Sequence, residues 1–416
     1  VYKRQGLSGL GRECVEQHYS WEKISPALGL LLQTEKQASR TITAASGRRH
    51  IGLFTTWNIR CGIAEESFKY ARGIRQMGHR VSVFGNVLED EFCADVAREM
   101  LFPLNRIWYW DNKHWTSSSV DFDALFRNIY QADIDTLLIQ HHYAYLPDDA
   151  YSEMVSLAKK HKLKVIVEIH HLKQLLDEGS RLIRQDSIQF IVHSSLDYEA
   201  LVSARGDDGV WLMPLPLEYQ PPANTQYGRR GSATRDSRIV FSGFGYLRPH
   251  KGVKDAISCV AALKHRFPRI RYRGFHATYD EDSRNYYREC LDHANQLGVG
   301  SSVDIITDFL PGEEIHRELA GADLILMPYG ESDEGGSAAV NMALSTGVPV
   351  VVSRSNIFSE VRHLCVTVDT WQENALPQAC EALLDDEELR ERLASDTGRW
   401  INQHDLETTI SRLLSI

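Results

Sequence analysis

Residues Met327 to Val351 read MPYGESDEGGSAAVNMALSTGVPVV and join the end of an apolar strand, an acidic glycine-rich loop, a small-residue helix and another strand. In this reading Gly335, Gly336 and Ser337 open the helix. Unpaired backbone N–H groups and the positive end of the helix dipole then face the loop, which suits phosphate. Glu334 stands directly before them. A carboxylate repels an anion, so its place here makes sense if it binds a sugar hydroxyl, and the two features together point to a nucleotide sugar. A second loop, FSGFGYLRPHKGV from Phe241 to Val253, puts Lys251 and Gly252 at the start of a helix, where an ammonium would neutralise phosphate charge. A lone Lys-Gly pair is ordinarily a surface feature. The shared strand-loop-helix placement of Lys251 and Glu334 favours the functional reading.

The first half of the chain supplies further candidates. TTWNIRCGIAEESFKYARGI, from Thr55 to Ile74, puts Gly62 at the mouth of a helix, where a ligand could approach the backbone or the chain could simply turn. A dinucleotide fingerprint needs GxGxxG; Gly62 stands alone, and Gly243 and Gly245 lack a third glycine, so NAD binding is poorly supported. VEIHHLK, Val167 to Lys173, ends a strand in His170 and His171, while IQHHY ends the preceding strand in His141 and His142. A histidine at such a strand end can hydrogen-bond a sugar or phosphate without the cost of burying a full charge. No metal is expected there, because adjacent histidines point to opposite faces and no carboxylate falls at ligand spacing. The triplets Asp121–Asp123 and Asp133–Asp135 read as solvated caps and turns.

These residues need a scaffold. From His50 onward short β-rich runs alternate with helix-length segments, the pattern of parallel sheets covered by helices. One series of strands reads His50–Thr55, Arg80–Phe84, Thr136–Gln140, Lys164–Ile169, Gln189–Val192 and Val210–Met213. A second reads Arg238–Ser242, Arg271–Phe275, Ser302–Thr307, Leu324–Met327, Val348–Val351 and Cys365–Val368. Glu218–Asp236 between them is rich in Pro, Gly, Asn, Ser and Arg and reads as a linker. The 416 residues exceed the roughly 250 to 300 that one core supports. The expected organisation is an amino-terminal extension (1–46), a first Rossmann-like domain (47–217), the linker (218–236), a second Rossmann-like domain (237–397) and a closing helix (398–416). Open α/β sheets bind ligands at the carboxyl ends of their strands, so a central cleft between two doubly wound domains is expected to hold the site.

Composition narrows the class. With 43% hydrophobic and 25% charged residues the chain has an ordinary globular profile, and a net charge of -10 argues against a broad nucleic-acid surface. Lys159, Lys160 and Lys162 could still touch an anionic membrane peripherally, although a solvated helix end is the favoured reading. Seven scattered cysteines without a CxxC pair fit a reducing cytoplasm. No apolar run approaches the roughly 20 residues that span a bilayer. The chain starts at Val1 and has no methionine before Met77, which reads as the mark of a fragment. Gly11 to Leu32 forms an amphipathic helix candidate in which Gln17-His18, Ile24-Ser25 and Leu28 recur at the spacing of Gln403-His404, Ile410-Ser411 and Leu414.

Taken together, CGIAEESFKYARGI, RPHKGV and ESDEGGSAAVNMALSTGVPVV resemble the signatures of family 4 (group 1) retaining glycosyltransferases over roughly Arg48 to Ile416. The resemblance implies the two-domain GT-B fold, with a carboxyl-terminal helix crossing back to the first domain, and no cofactor beyond a nucleotide-sugar donor as substrate. It assigns the donor diphosphate to Gly62 and Lys251, the donor sugar to Glu334 and the reaction centre to His170. HSSLDYEAL and MPLPL likewise resemble the end of the family's first domain. Two positions depart from the pattern: the second glutamate of the E-x7-E motif falls on Met342, and an arginine often found five residues before the lysine falls on Tyr246. Arg248 is the candidate substitute for the missing charge. YSWEK and the apolar stretch after it resemble the family's closing helix, as though an upstream glycosyltransferase module ended there. The implied partners are the donor and a sugar or lipid-linked acceptor of polysaccharide or glycoconjugate synthesis. A nucleotide-sugar epimerase on the same fold, a degenerate nucleotide-sugar-binding subunit and, weakest, a dehydrogenase are the rival readings.

Overall fold

The computed structural model describes residues 47–87, 96–110, 118–217, 234, 237–332, 334–370 and 372–416. The amino-terminal extension and all of the linker except Thr234 lie outside the described residues, and with them the helix expected over Gly11 to Leu32. Two compact units form. The first contains the described residues through Ile191 with Leu201–Trp211 and Ile410–Ile416; the second contains Val192–Ala200 and Leu212–Thr409.

The first unit is built on eight strands: β1 (His50–Phe54), β2 (Arg80–Asn86), β3 (Leu104–Tyr109), β4 (Ser119–Val120), β5 (Thr136–His141), β6 (Lys164–Ile169), β7 (Gln189–Val192) and β8 (Val210–Leu212). Their spatial order is β4-β3-β2-β1-β5-β6-β7-β8. The pairs from β3 through β7 are parallel, and β4 runs antiparallel to β3. Strands β1 and β5 are buried along their whole length, which is why they read as apolar runs rather than as alternating sequences. The sequence reading did not include β3 or β4. LNRIWY carries Asn105 and Arg106 and is only half buried, and β4 is a two-residue edge.

The second unit has six strands, β9 (Val240–Tyr246), β10 (Arg271–Ala277), β11 (Val303–Ile306), β12 (Leu324–Met327), β13 (Val350–Ser353) and β14 (Val366–Val368). They lie in the order β11-β10-β9-β12-β13-β14, and every pair is parallel. One apolar cluster, including Phe241, Ile257, Val260 and Cys380, packs helices Val253–Leu263 and Ala375–Asp385 on one face. Another, including Ile325, Leu344 and Phe358, covers the other face. The expected pair of doubly wound, Rossmann-like α/β sheets is what the chain forms.

The closing helix differs from expectation. Helix Glu387–Gln403 ends at His404, and a separate helix Leu406–Ser415 begins after Asp405, whose carboxylate caps it by accepting from the Thr408 amide at 2.8 Å. The last residues return to the first unit, where Arg49 Nη1 donates to the Leu414 carbonyl at 2.6 Å. The aspartate triplets act as caps and turns. Asp121 caps helix Phe122–Ala132 through the Ala124 amide, Asp133 adopts the left-handed conformation at its end, and Asp135 accepts from the His50 amide at 2.7 Å. Lys159 and Lys160 lie in the last turn of helix Asp148–Lys160, where they complement the negative end of its dipole. No described helix is long and apolar enough to cross a membrane.

Candidate functional site

In each sheet the strand order reverses at one point, between β1 and β5 in the first unit and between β9 and β12 in the second. Connections leave in opposite directions at such a point and open a crevice beyond the carboxyl ends of the strands. Gly62 follows β1 and His141 ends β5, while Lys251 follows β9 and Glu334 follows β12. Residues singled out by local sequence thus fall on both switch points.

In the first unit, helix Gly62–Gln76 is capped by Cys61, whose sulfur accepts from the Ala64 amide at 3.3 Å. The same sulfur lies 3.4 Å from Thr56 Oγ1 and accepts from the Tyr145 hydroxyl at 3.5 Å, and burial pushes the thiol pKa up, so Cys61 serves as a cap. Gly62 itself is exposed, and a Cβ added there would meet nothing within 4 Å. Packing does not demand a glycine here, in keeping with a backbone that a ligand approaches. Gly62→Ala is therefore expected to keep the wild-type melting temperature and yet weaken nucleotide-sugar binding about tenfold, as measured by calorimetric titration. Unchanged affinity would reduce Gly62 to an ordinary turn residue.

His170 follows the end of β6. Its Nε2 lies 2.6 Å from Gln140 Oε1, and Gln140 Nε2 donates to Glu168 Oε2 at 2.6 Å. Tyr70 donates to the other oxygen of Glu168 at 2.8 Å. Glu168 is fully buried at the centre of an otherwise apolar strand run, VIVEI. Glu66, one helical turn before Tyr70, is also buried and hydrogen-bonds Glu168; burial and then the Glu168 charge hold its carboxyl pKa well above the usual range. The other histidines are packing groups. His141 lies buried against Tyr151 at 4.3 Å between ring centroids, His142 packs on Tyr145 and His171, and burial pushes both imidazoles down to about 3.

In the second unit the loops after β9 and β12 meet on Tyr329. Lys251 Nζ stands 4.2 Å from the centroid of its ring, and the Tyr329 hydroxyl donates to the Phe244 carbonyl at 3.0 Å. Ser337 hydrogen-bonds the same phenol, whose pKa is pushed well up by burial and then by the charge of Glu334. The Lys251 ammonium is largely desolvated, which lowers its pKa, while Glu334 raises it. Lys251 does not open the long helix as expected: it closes a single 3-10 turn, Pro249–Lys251, and Gly252 separates it from helix Val253–Leu263. The glycine-serine stretch also stops one residue short. Ser337 is the cap, accepting from the Val340 amide at 3.2 Å, and the helix runs Ala338–Ser345. Gly335 and Gly336 precede that cap, so the amides nearest the loop are those of the capping turn. Arg248 is committed to Asp280 at 2.7 Å and lies over the Tyr279 ring, so it would serve an anion only by sharing that carboxylate. Met342 packs against the apolar cluster of this unit, and Tyr246 packs with Tyr279 and Phe309.

Sequence reasoning missed Gln140, Glu168, Glu66 and Tyr70. One signal was present: a glutamate inside a buried parallel strand must be paired, because an isolated buried charge is too costly.

Residues 228–400 match the family model described as glycosyl transferases group 1. Among solved structures, a glycosyltransferase from Rickettsia africae ESF-5 is similar at TM-score 0.67 and 12% identity, with 89% of this chain and 98% of that chain covered. HepE from Anabaena in complex with UDP is similar at TM-score 0.66 and 13% identity, covering 88% and 98%. In complex with UDP-glucose it gives TM-score 0.63 and 14% identity, covering 88% and 99%. Sucrose-phosphate synthase from Thermosynechococcus elongatus gives TM-score 0.66 and 12% identity, covering 88% and 98%. At these identities the likeness is one of fold, and that fold is GT-B.

Proposed function

We propose that this chain is a retaining, metal-independent glycosyltransferase that moves a sugar from a nucleotide-diphosphate-sugar donor to an acceptor hydroxyl in polysaccharide or glycoconjugate synthesis. One observation carries the reading: within the segment that matches the group 1 model, a desolvated Lys251 ammonium, the Ser337 cap and Glu334 converge on one buried tyrosine. The ammonium and the amides of the capping turn supply the positive field that a diphosphate leaving group needs. Glu334 accepts from hydroxyls of the donor sugar. HepE was solved with UDP and with UDP-glucose, which supports a nucleotide sugar as the donor class here.

In the first unit Gly62 offers an open backbone for the diphosphate, and His170 serves the sugar at the reacting centre. Retention follows if the departing diphosphate accepts the proton of the incoming hydroxyl on the same face of the sugar. Catalysis then consists of positioning and charge stabilisation and uses no pair of catalytic carboxylates. The acceptor is a sugar or a lipid-linked glycan.

A thermal-shift screen against UDP-, GDP-, ADP- and dTDP-sugars tests the donor assignment. A ligand at about 100 times its dissociation constant stabilises by roughly 2.7 kcal/mol, so one nucleotide class is expected to raise the melting temperature clearly. NMR of the product formed with that donor is expected to show the donor's anomeric configuration. A flat response to every donor, with no transfer, overturns the proposal. Met342 and Tyr246 favour one rival, a nucleotide-sugar-binding subunit without activity; it would show the thermal shift but neither donor hydrolysis nor transfer.

A further inference from the structure

The buried polar chain behind His170 lies outside every motif used so far. Gln140 is 1% exposed and Glu168 is 0% exposed, and their hydrogen bonds fix a direction. Glu168 already accepts from the Tyr70 hydroxyl at 2.8 Å, so the Gln140 atom facing it at 2.6 Å must be the amide nitrogen, a donor. That leaves the amide oxygen toward His170, 2.6 Å from Nε2, and an oxygen can only accept. The proton of a neutral His170 ring must therefore sit on Nε2, and Nδ1 carries the lone pair.

We infer that Gln140, held by Glu168 and Tyr70, is a positioning residue that locks His170 in its Nε2–H tautomer and makes Nδ1 a hydrogen-bond acceptor for a substrate hydroxyl. The inference deepens the proposed function and rests on its assignment of His170 to the sugar. It also changes that assignment in kind. A neutral His170 does not donate to the sugar through its outer nitrogen; it accepts, so the substrate must offer a hydroxyl hydrogen there. Glu66 belongs to the same device. As a neutral acid hydrogen-bonded to Glu168, it lets two buried carboxyl groups lie side by side without two full charges.

The test uses the full chain with ring-15N histidine, and His170 is assigned by the signal lost in His170→Asn. Between pH 6 and 8 the wild type is expected to show Nε2 protonated and Nδ1 unprotonated. Gln140→Leu is expected to average the two ring environments and, with the donor found in the screen, to lower kcat by about tenfold or more while leaving the donor KM within about twofold, because a wrong imidazole tautomer costs turnover. Gln140→Glu is expected to restore the wild-type spectrum: a protonated carboxyl accepts from His170 and donates to Glu168, as the amide does. A proton on Nδ1 in the wild type, or an unchanged spectrum in Gln140→Leu, overturns the inference. Should Gln140→Leu fail to fold, the wild-type and Gln140→Glu spectra decide. The spectrum needs no turnover, so a locked ring in a chain that transfers no sugar would sink the proposed function alone.

Discussion

Replacing Lys251 with alanine is expected to cut turnover by about 10²-fold or more, equivalent to roughly 2.7 kcal/mol or more of transition-state stabilisation and on the scale of removing one preorganised donor from a charged transition state. The geometry explains the size. An exposed lysine offers a leaving diphosphate a screened charge, whereas Lys251 is held over the Tyr329 ring with much of its water already removed. Its field is thus strong before the reaction starts. The cost of that preparation is a pKa lowered by burial and only partly restored by Glu334. Activity that depends on the ammonium should therefore fade on the alkaline side at a lower pH than an ordinary lysine would give, and this limb should be missing from the residual activity of Lys251→Ala. Initial rates across pH for both proteins check the two statements together. The alanine variant should keep its melting temperature within a few degrees, since the side chain is partly exposed and makes no hydrogen bond that the fold needs. Near-wild-type turnover would remove Lys251 from the mechanism.

How far the sequence could lead depended on the range of the interaction involved. Strands β6, β7 and β12 match their sequence-derived limits because each is a short apolar run buried on both faces, a strictly local signal. The polar residues of β3 hide its period, and the break after Gln403 depends on a cap at Asp405 that no apolar pattern announces. The site follows the same rule. Gly62, Lys251 and Glu334 stand beside strand ends, so their placement at switch points followed from the order of elements alone. Their helical roles were off by one residue, because a 3-10 turn and a serine cap are decided by backbone angles. The partners of His170 were out of reach for a different reason. Tyr70 and Glu168 are 98 residues apart and Gln140 and Glu168 are 28 apart, so only the folded sheet brings them together. Met342 and Tyr246 were legible as departures, and the structure gives each an apolar or aromatic neighbourhood instead of a hydrogen-bonding task.

Gly252→Ala should destabilise the second unit by about 3 kcal/mol or more, although it adds a single methyl group. Two penalties combine at this residue. Its φ of 68° is left-handed, which costs a residue with a Cβ roughly 1–2 kcal/mol. In addition, a Cβ there would stand 2.2 Å from the Pro328 carbonyl oxygen and 2.9 Å from the Pro328 carbonyl carbon. That obstacle is backbone and cannot rotate away. Pro328 follows directly on Met327, the fully buried end of β12, so relief requires moving a core strand or the turn that carries Lys251. At 2–4 °C per kcal/mol for a unit of this size, the melting temperature of the second unit should fall by roughly 6–12 °C. Gly62→Ala is the internal control: both glycines begin a helix after a sheet's first strand, yet only one has neighbours. Because the two units can unfold separately, a fluorescence probe in each is needed to attribute the loss. A fall of less than about 2 °C would mean that the β12 end yields easily, and the close approach of Gly252 to Pro328 would no longer explain how Lys251 is held over Tyr329.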